Sequence, residues 1–360
     1  MTVYLNGYYG MQNSGDDALL WATIFGCKEY LQYSDLTLSN VAPINFDGLG
    51  QWSSYQVDRQ RFRGEKRFRN YWRAWLSQKV VFGGGSVMHS EQDIAVKLHM
   101  LKLSGSAGLA LGVGLGPFEN TAAERACADL LHRCEFVGVR DQASYELAQA
   151  IAPNAPVKKT FDLAPLLLKS PNINNDATGE RHGICVSLCN LLNQSIRIQQ
   201  NLPDIANTLV EVSSKTGESI TLLDFNGHAV FGDHTVHLEL ANLLLNQGVK
   251  VEHIPYQPDP IKVLRQLRQY RCVVAMRLHS AILGFLADTP VISLNYHSKC
   301  LGWCEQVGMP SAYILDINAF DSVAFSQGLH HAMSETPDRN RMNVENALEE
   351  TLKNWSLKLS

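Results

Sequence analysis

No two of the eight cysteines in this 360-residue sequence are spaced as CxxC, which removes the common zinc-ribbon and thiol-redox frameworks. His297, Cys300 and Cys304 lie close together without an apparent fourth ligand, so no metal site is expected. Cys185, Cys189 and Cys272 fall in apolar, strand-like runs where a thiol behaves as a small hydrophobe, a usage that fits a reducing, cytoplasmic compartment. No apolar run approaches the ~20 residues that a membrane span needs. The opening Met-Thr-Val-Tyr-Leu-Asn-Gly has neither the basic n-region nor the apolar core of a secretion signal. Basic excess is missing too: Lys and Arg number 31 against 35 Asp and Glu, a formal charge of -4. That balance argues against nucleic acid as a partner and confines any anion site to a local feature.

What is present is ample material for folded cores: 45% hydrophobic and only 18% charged residues. A chain of this length is expected to divide into two domains. Short apolar runs at 3–5, 36–38, 80–82, 110–113 and 136–139 alternate with helical patterns in the first half, and runs at 184–188, 220–224, 249–254, 272–275 and 291–294 repeat the rhythm in the second. Strand, turn, helix, strand implies right-handed crossovers and a parallel sheet covered on both faces. The expected fold is therefore α/β, with two Rossmann-like doubly wound lobes facing a central cleft, at 1–169 and 183–335. A polar linker at 170–182 joins them, and a helical tail occupies 336–360. Ligands bind at the carboxyl ends of the strands in such sheets, so both lobes are expected to supply binding loops.

Several segments have the residue types such loops need. Gly7 to Leu20 passes from a strand through a glycine-rich loop into a helix with an acidic first turn, where Asn13, Gly15 and Asp16 are candidates to contact a polar ligand; an Asp16 helix cap would explain the same residues. Phe82-Gly83-Gly84-Gly85-Ser86 removes side chains after a strand, and Gly84 is a candidate for close approach by a ligand or a neighbouring loop. Gly112-Val113-Gly114-Leu115-Gly116-Pro117 lacks the spacing of a dinucleotide fingerprint, which discounts NAD. Arg140, in Val139-Arg140-Asp141, ends a strand just before a helix, where a guanidinium fork can grip a carboxylate or phosphate; a plain Arg140–Asp141 surface turn is the alternative. The strongest pattern is Cys272 to Leu283, a strand running into a helix across Arg277, Leu278, His279 and Ser280. A fixed cation beside a titratable imidazole at a helix start suits an anionic substrate that needs proton transfer, although a capped core histidine would look the same. Lys299, after the next strand, is a further phosphate contact or a solvated loop lysine.

The segment 59–79 carries Arg59, Arg61, Arg63, Lys66, Arg67, Arg69 and Arg73 in an otherwise acidic chain. Within it Phe68, Tyr71, Trp72, Trp75 and Leu76 share one helical face. Burial of that face against the first lobe is the simplest expectation, and docking on an anionic inner-membrane surface or a lipid diphosphate is the other.

Taken in order, the GxxNxGDDALL-like opening, FGGGS, GxGxGP, GVRD and RLHSAILGFLADTPVISLNYHSK resemble the polysaccharide pyruvyl transferase family from about Gly7 to Lys299. The resemblance implies a fold like that of two-lobed (GT-B-like) glycosyltransferases. It implies a cytoplasmic transferase, serving exopolysaccharide biosynthesis, that moves pyruvate from phosphoenolpyruvate onto two hydroxyls of a glycan sugar as a ketal and releases phosphate. It also implies that His279 is the catalytic acid/base, that Arg277 and Arg140 bind the donor, and that Asn13, Gly15 and Asp16 line the N-terminal loop, in contact with either acceptor or donor. Gly84, Ser280 and Lys299 complete the expected substrate-binding set. The expected partners are phosphoenolpyruvate, as a co-substrate with no further cofactor, and a glycan acceptor that is lipid-linked if it is modified at the membrane, with peripheral contact through 59–79. A nucleotide-sugar-dependent glycosyltransferase and a non-catalytic glycan-binding scaffold of the same fold are the competing readings.

Overall fold

The computed structural model describes residues 1–42, 44, 46, 48–56, 62–173, 179–190 and 198–356. Arg59 and Arg61 of the basic segment, linker residues 174–178 and tail residues 357–360 lie outside the described residues. The chain forms two compact units. One comprises Met1–Met11, Asp16–Lys169 and Glu345–Ser360; the other comprises Gln12–Gly15 and Ser170–Val344.

In the first unit the chain runs β1 (Thr2–Asn6), α1 (Ser14–Glu29), β2 (Asp35–Asn40), β3 (Ser53–Gln56), α2 (Glu65–Leu76), β4 (Lys79–Met88), α3 (Glu91–Ser104), β5 (Gly108–Leu115), α4 (Thr121–His132), β6 (Cys134–Val139), α5 (Gln142–Ile151) and β7 (Val157–Lys159). The sheet order is β3-β2-β1-β4-β5-β6-β7, and every pairing is parallel. In the second unit β8 (Ile184–Ser187), α6 (Ile198–Thr216), β9 (Ile220–Leu223), α7 (His234–Leu245), β10 (Val251–Ile254), α8 (Pro260–Leu267), β11 (Cys272–Ala275), α9 (Leu278–Leu286), β12 (Val291–Asn295), α10 (Ser298–Val307), β13 (Ile314–Asp316) and α11 (Ser322–Ala332) build a second parallel sheet, ordered β10-β9-β8-β11-β12-β13. The inner strands are apolar throughout: every residue of β5, β8, β9, β11 and β12 is buried, as a sheet covered on both faces requires.

The glycine runs are not turns. β4 continues through Gly83, Gly84 and Gly85 to Met88 with a register shift, and β5 contains Gly112 and Gly114. Helix α1 supplies the reason. A Cβ on Gly83 would overlap Thr23, and one on Gly84 would stand 2.8 Å from Leu19, so the helix packs on bare backbone. Gly84 also adopts φ 65°, in the left-handed region.

The last helix, α12 (Val344–Leu352), leads into a short turn holding Asn354, which has no exposed surface. Its side chain accepts from the Gly112 amide at 2.8 Å and from Thr160 Oγ1 at 2.9 Å, and donates to the Phe161 and Thr351 carbonyls at 3.1 and 3.0 Å. Buried polar groups left without these partners cost about 1–3 kcal/mol each. Asn354→Ala is therefore expected to destabilise the first unit by roughly 2–4 kcal/mol in urea unfolding, whereas an exposed tail change such as Glu349→Ala leaves the midpoint within ~0.5 kcal/mol.

Lys97 of α3 is buried, and burial pushes its ammonium down to about 8 from the ordinary 10.5, with Asp93 opposing the shift and Lys66 adding to it. The unfolded chain thus binds more protons between about pH 8 and 10.5, and stability rises with pH across that window. Lys97→Met is expected to raise the thermal midpoint at pH 7 and to lose that advantage progressively as the pH climbs from 8 to 10.5.

Candidate active site

In the second unit the chain moves from β8 outward to β9 and β10, then returns to the opposite side of β8 at β11. The sheet's topological switch point therefore lies between the carboxyl ends of β8 and β11, where doubly wound sheets open a crevice. The two loops meet there: the Cys189 amide donates to Met276 Sδ at 3.5 Å. Arg277 follows directly as the N-cap of α9, in extended conformation and without a side-chain hydrogen bond to the helix. Its guanidinium turns aside to Asp233, with Nε 2.9 and 3.0 Å from the two carboxylate oxygens and Nη2 2.5 Å from Oδ1.

Asp233 has no exposed surface. Besides Arg277 it accepts from the Phe225 and Asn226 amides at 3.0 and 2.9 Å, all at the carboxyl end of β9. Burial works against the charge on Arg277, but the Asp233 carboxylate outweighs it and holds the guanidinium charged well above its ordinary range. Nothing in the sequence marked Asp233. It precedes α7 and looks like an ordinary N-cap, yet it makes no cap hydrogen bond because its carboxylate is committed to the guanidinium and the two amides.

His279 lies in the first turn of α9, half-buried, against Gly15. A Cβ at Gly15 would overlap the ring at Nδ1, so only glycine leaves the imidazole its place. The segment carrying Gly15 is fixed to the loop after β9. Ser14 N donates to Phe225 O and Gly227 N donates to Gln12 O, both at 2.8 Å, and Asn13 forms an antiparallel bridge with Asn226. Asn13 Oδ1 accepts from the Gly15 amide at 2.9 Å, so the start of α1 is capped by Asn13 rather than by Asp16. Asp16 is half-buried in the first turn of α1 and counts with the first unit.

Ser280, fully buried, donates its hydroxyl to the Arg277 carbonyl at 2.7 Å and so closes the turn. Lys299 is exposed on α10, where its amide donates to the N-cap His297 at 3.2 Å. Burial holds the Cys189 thiol up at about 12 despite nearby Arg277 and Lys299, so it is not a thiolate nucleophile at neutral pH.

Asp224, at the end of β9, has its carboxylate 2.5 Å from His237 Nδ1 and 2.8 Å from His253 Nε2. The trio is compact enough for a metal ion, but His237 Nε2 already accepts from the Leu188 amide at 2.9 Å. That bond puts the His237 proton on Nδ1, aimed at Asp224, which suits a hydrogen-bonded strut between β8 and β9 better than a ligand set. Burial works against the Asp224 charge, but the bonds from His237 and His253 outweigh it and hold the carboxyl below its ordinary value.

In the first unit, Arg140 follows β6 and is buried, not part of a surface turn. It is 3.5 Å from both Asp162 and Asp141 and donates to Ser86 Oγ at 3.1 Å. The bare Cα of Gly114 makes room for its guanidinium. Gly84 is buried beneath α1, whose Leu19 accounts for the missing side chain.

A family model described as polysaccharide pyruvyl transferase matches residues 13–298, a span that includes the Asn13–Gly15 segment, Arg140, Asp233, Arg277 and His279. The chain belongs to the polysaccharide pyruvyl transferase family. Among solved structures, the chain is similar to a putative UDP-N-acetylglucosamine 2-epimerase from Listeria monocytogenes, with TM-score 0.66 and 10% identity over 97% of this chain and 93% of that one. The UDP-GlcNAc 2-epimerase from Methanocaldococcus jannaschii is similar at TM-score 0.64 and 12% identity over 98% of both chains. A trehalose-6-phosphate synthase follows at TM-score 0.54 and 11% identity, over 98% of this chain and 95% of that one. Identities this low show the shared two-lobed glycosyltransferase-type fold and nothing finer. No curated protein matches the chain in sequence.

Removing one member of a buried ion pair strands the other, at about 3–5 kcal/mol. Asp233→Ala and Arg277→Ala are each expected to destabilise the protein strongly, with the double variant well short of the sum in chemical denaturation. Additive losses would show that the pair is not coupled. Gly15→Ala is expected to displace His279 and lower turnover by about 100-fold, more than it changes stability.

Proposed function

We propose that this protein transfers the pyruvyl unit of phosphoenolpyruvate to two hydroxyls of a glycan sugar as a ketal, releasing phosphate. The observation that carries the reading is the pairing of Arg277 and His279 at the start of α9, on the switch point of the second sheet, in a chain that belongs to the pyruvyl transferase family.

The chemistry asks for what these residues supply. Addition begins by protonating the methylene carbon of the donor, which leaves positive charge on the carbon bearing carboxylate and phosphate. His279 delivers that proton as the general acid of the step. Arg277, held in one orientation by Asp233, binds an anionic group of the donor beside the helix start. One sugar hydroxyl attacks the cationic carbon and gives up its proton; the second hydroxyl then displaces phosphate. Of the two hydroxyl protons, one replaces the proton delivered to the methyl group and the other leaves with phosphate. Lys299 is assigned to the departing phosphate, and Asn13, Gly15 and Asp16 to the N-terminal binding loop. The family role of Arg140 as a donor contact is tested separately through Arg140→Lys. No further cofactor enters this scheme.

Phosphoenolpyruvate at about a hundredfold its Kd stabilises a binding protein by ~2.7 kcal/mol. It is expected to raise the thermal midpoint of the wild type and of His279→Ala, and to fail with Arg277→Lys, which keeps the charge but loses the fork geometry. With a glycan acceptor present, His279→Ala is expected to release phosphate at least about 100-fold more slowly. Stabilisation by nucleotide sugars and not by phosphoenolpyruvate overturns the proposal in favour of a glycosyltransferase, and a response to neither favours a glycan-binding scaffold.

A further inference from the structure

Helix α2 is built inside out. Its buried residues are Glu65 at the first position and Asn70 and Ala74 further on; Phe68, Trp72, Trp75 and Leu76, at i, i+4, i+7 and i+8, lie on the face opposite Asn70 and Ala74. Those four and the preceding Phe62 are each between 51% and 57% exposed. Their rings form one continuous row: Phe62 to Phe68 at 6.4 Å, Phe68 to Trp72 at 6.3 Å and Trp72 to Trp75 at 5.2 Å. The expectation that this stripe packs against the first lobe is therefore corrected. The inner side is anchored by polar contacts instead. Tyr4 donates its hydroxyl to Asn70 Oδ1 at 2.9 Å, and Arg73 bonds to Thr37. Of the stripe, Tyr71 turns inward, stacking on His99 of α3 at 5.2 Å.

An outward row of large aromatics costs solubility unless something covers it. The charge at its N-terminal end narrows the choice of partner. Arg63, just before the helix, and Lys66 and Arg67, in its first turn, are exposed in a chain whose net charge is -4. A second copy docked through the same patch would set these cations against one another, since a two-fold interface pairs a surface with itself. Tryptophan and phenylalanine over a rim of Lys and Arg match the boundary of an anionic lipid bilayer, where rings enter the acyl edge and cations meet headgroup phosphates. Twelve residues make about 18 Å of helix, too short to span a ~30 Å hydrocarbon layer, so α2 would lie flat in the interface.

We propose that the outward face of α2, with Phe62, is a docking surface for anionic phospholipid membranes. This holds whichever donor the active site uses. The test is co-sedimentation of the full chain with vesicles of phosphatidylcholine containing about one-third phosphatidylglycerol, compared with phosphatidylcholine alone. Binding is expected only to the anionic vesicles, with a blue shift in tryptophan emission, and is expected to weaken as salt rises to about 0.5 M. Trp72→Ser/Trp75→Ser and Arg63→Glu/Arg67→Glu should each reduce binding at least tenfold or so while the thermal midpoint and phosphate release from a soluble acceptor stay unchanged. Absence of sedimentation at low salt, or sedimentation indifferent to both variants, overturns the proposal. So does a wild-type dimer in solution that Trp72→Ser/Trp75→Ser converts to monomer, which would assign the face to self-association.

Discussion

The buried carboxylate of Asp233 is the fixed point of the second unit's working end. Two backbone amides after β9 and the guanidinium after β11 all converge on it. One charge with no water contact thereby ties together two strand ends that are not neighbours in the sheet order. A lone buried carboxylate is costly, and Arg277 together with the amide dipoles supplies what water no longer does. The reactive geometry follows from this arrangement: Arg277 caps α9 by its backbone while its side chain is held elsewhere, and His279 comes two residues later at a defined rotation. On the β8–β9 side, the Asp224–His237–Leu188 chain of hydrogen bonds holds the neighbouring strand ends.

The inner strands of both sheets could be read from sequence because a strand covered on both faces is simply an apolar run, as in Cys272–Ala275 or Val291–Asn295. The strands that escaped notice were β3, β7 and β13, all at sheet edges, where Ser-Ser-Tyr-Gln or Val-Lys-Lys need not be apolar. The glycine runs were legible as places of close approach but not as strand interior, because the approaching partner, α1, is distant in sequence. For α2 periodicity identified the helix and gave no means of telling which face the protein would keep. Asn70 and Arg73 decided that, through bonds to Tyr4 and Thr37.

At the site itself, Arg277 and His279 stood out because strand, turn and helix come in immediate succession. Asp233 could not, being 44 residues away and indistinguishable in sequence from a helix cap. The family match then makes the same segment part of a recognised transferase scaffold, on a fold shared with enzymes named for nucleotide sugars at 10–13% identity. Fold alone would not have separated these chemistries.

Asn354 has a consequence for how the molecule is made. The first unit is closed by Asn354, with all of the second unit except Gln12–Gly15 encoded between Lys169 and Glu345. At synthesis rates of about 5–20 residues per second, some 9–35 s pass between the emergence of those two points. Throughout that interval the Gly112 amide and the Phe161 carbonyl are without the side chain that bonds them in the finished fold.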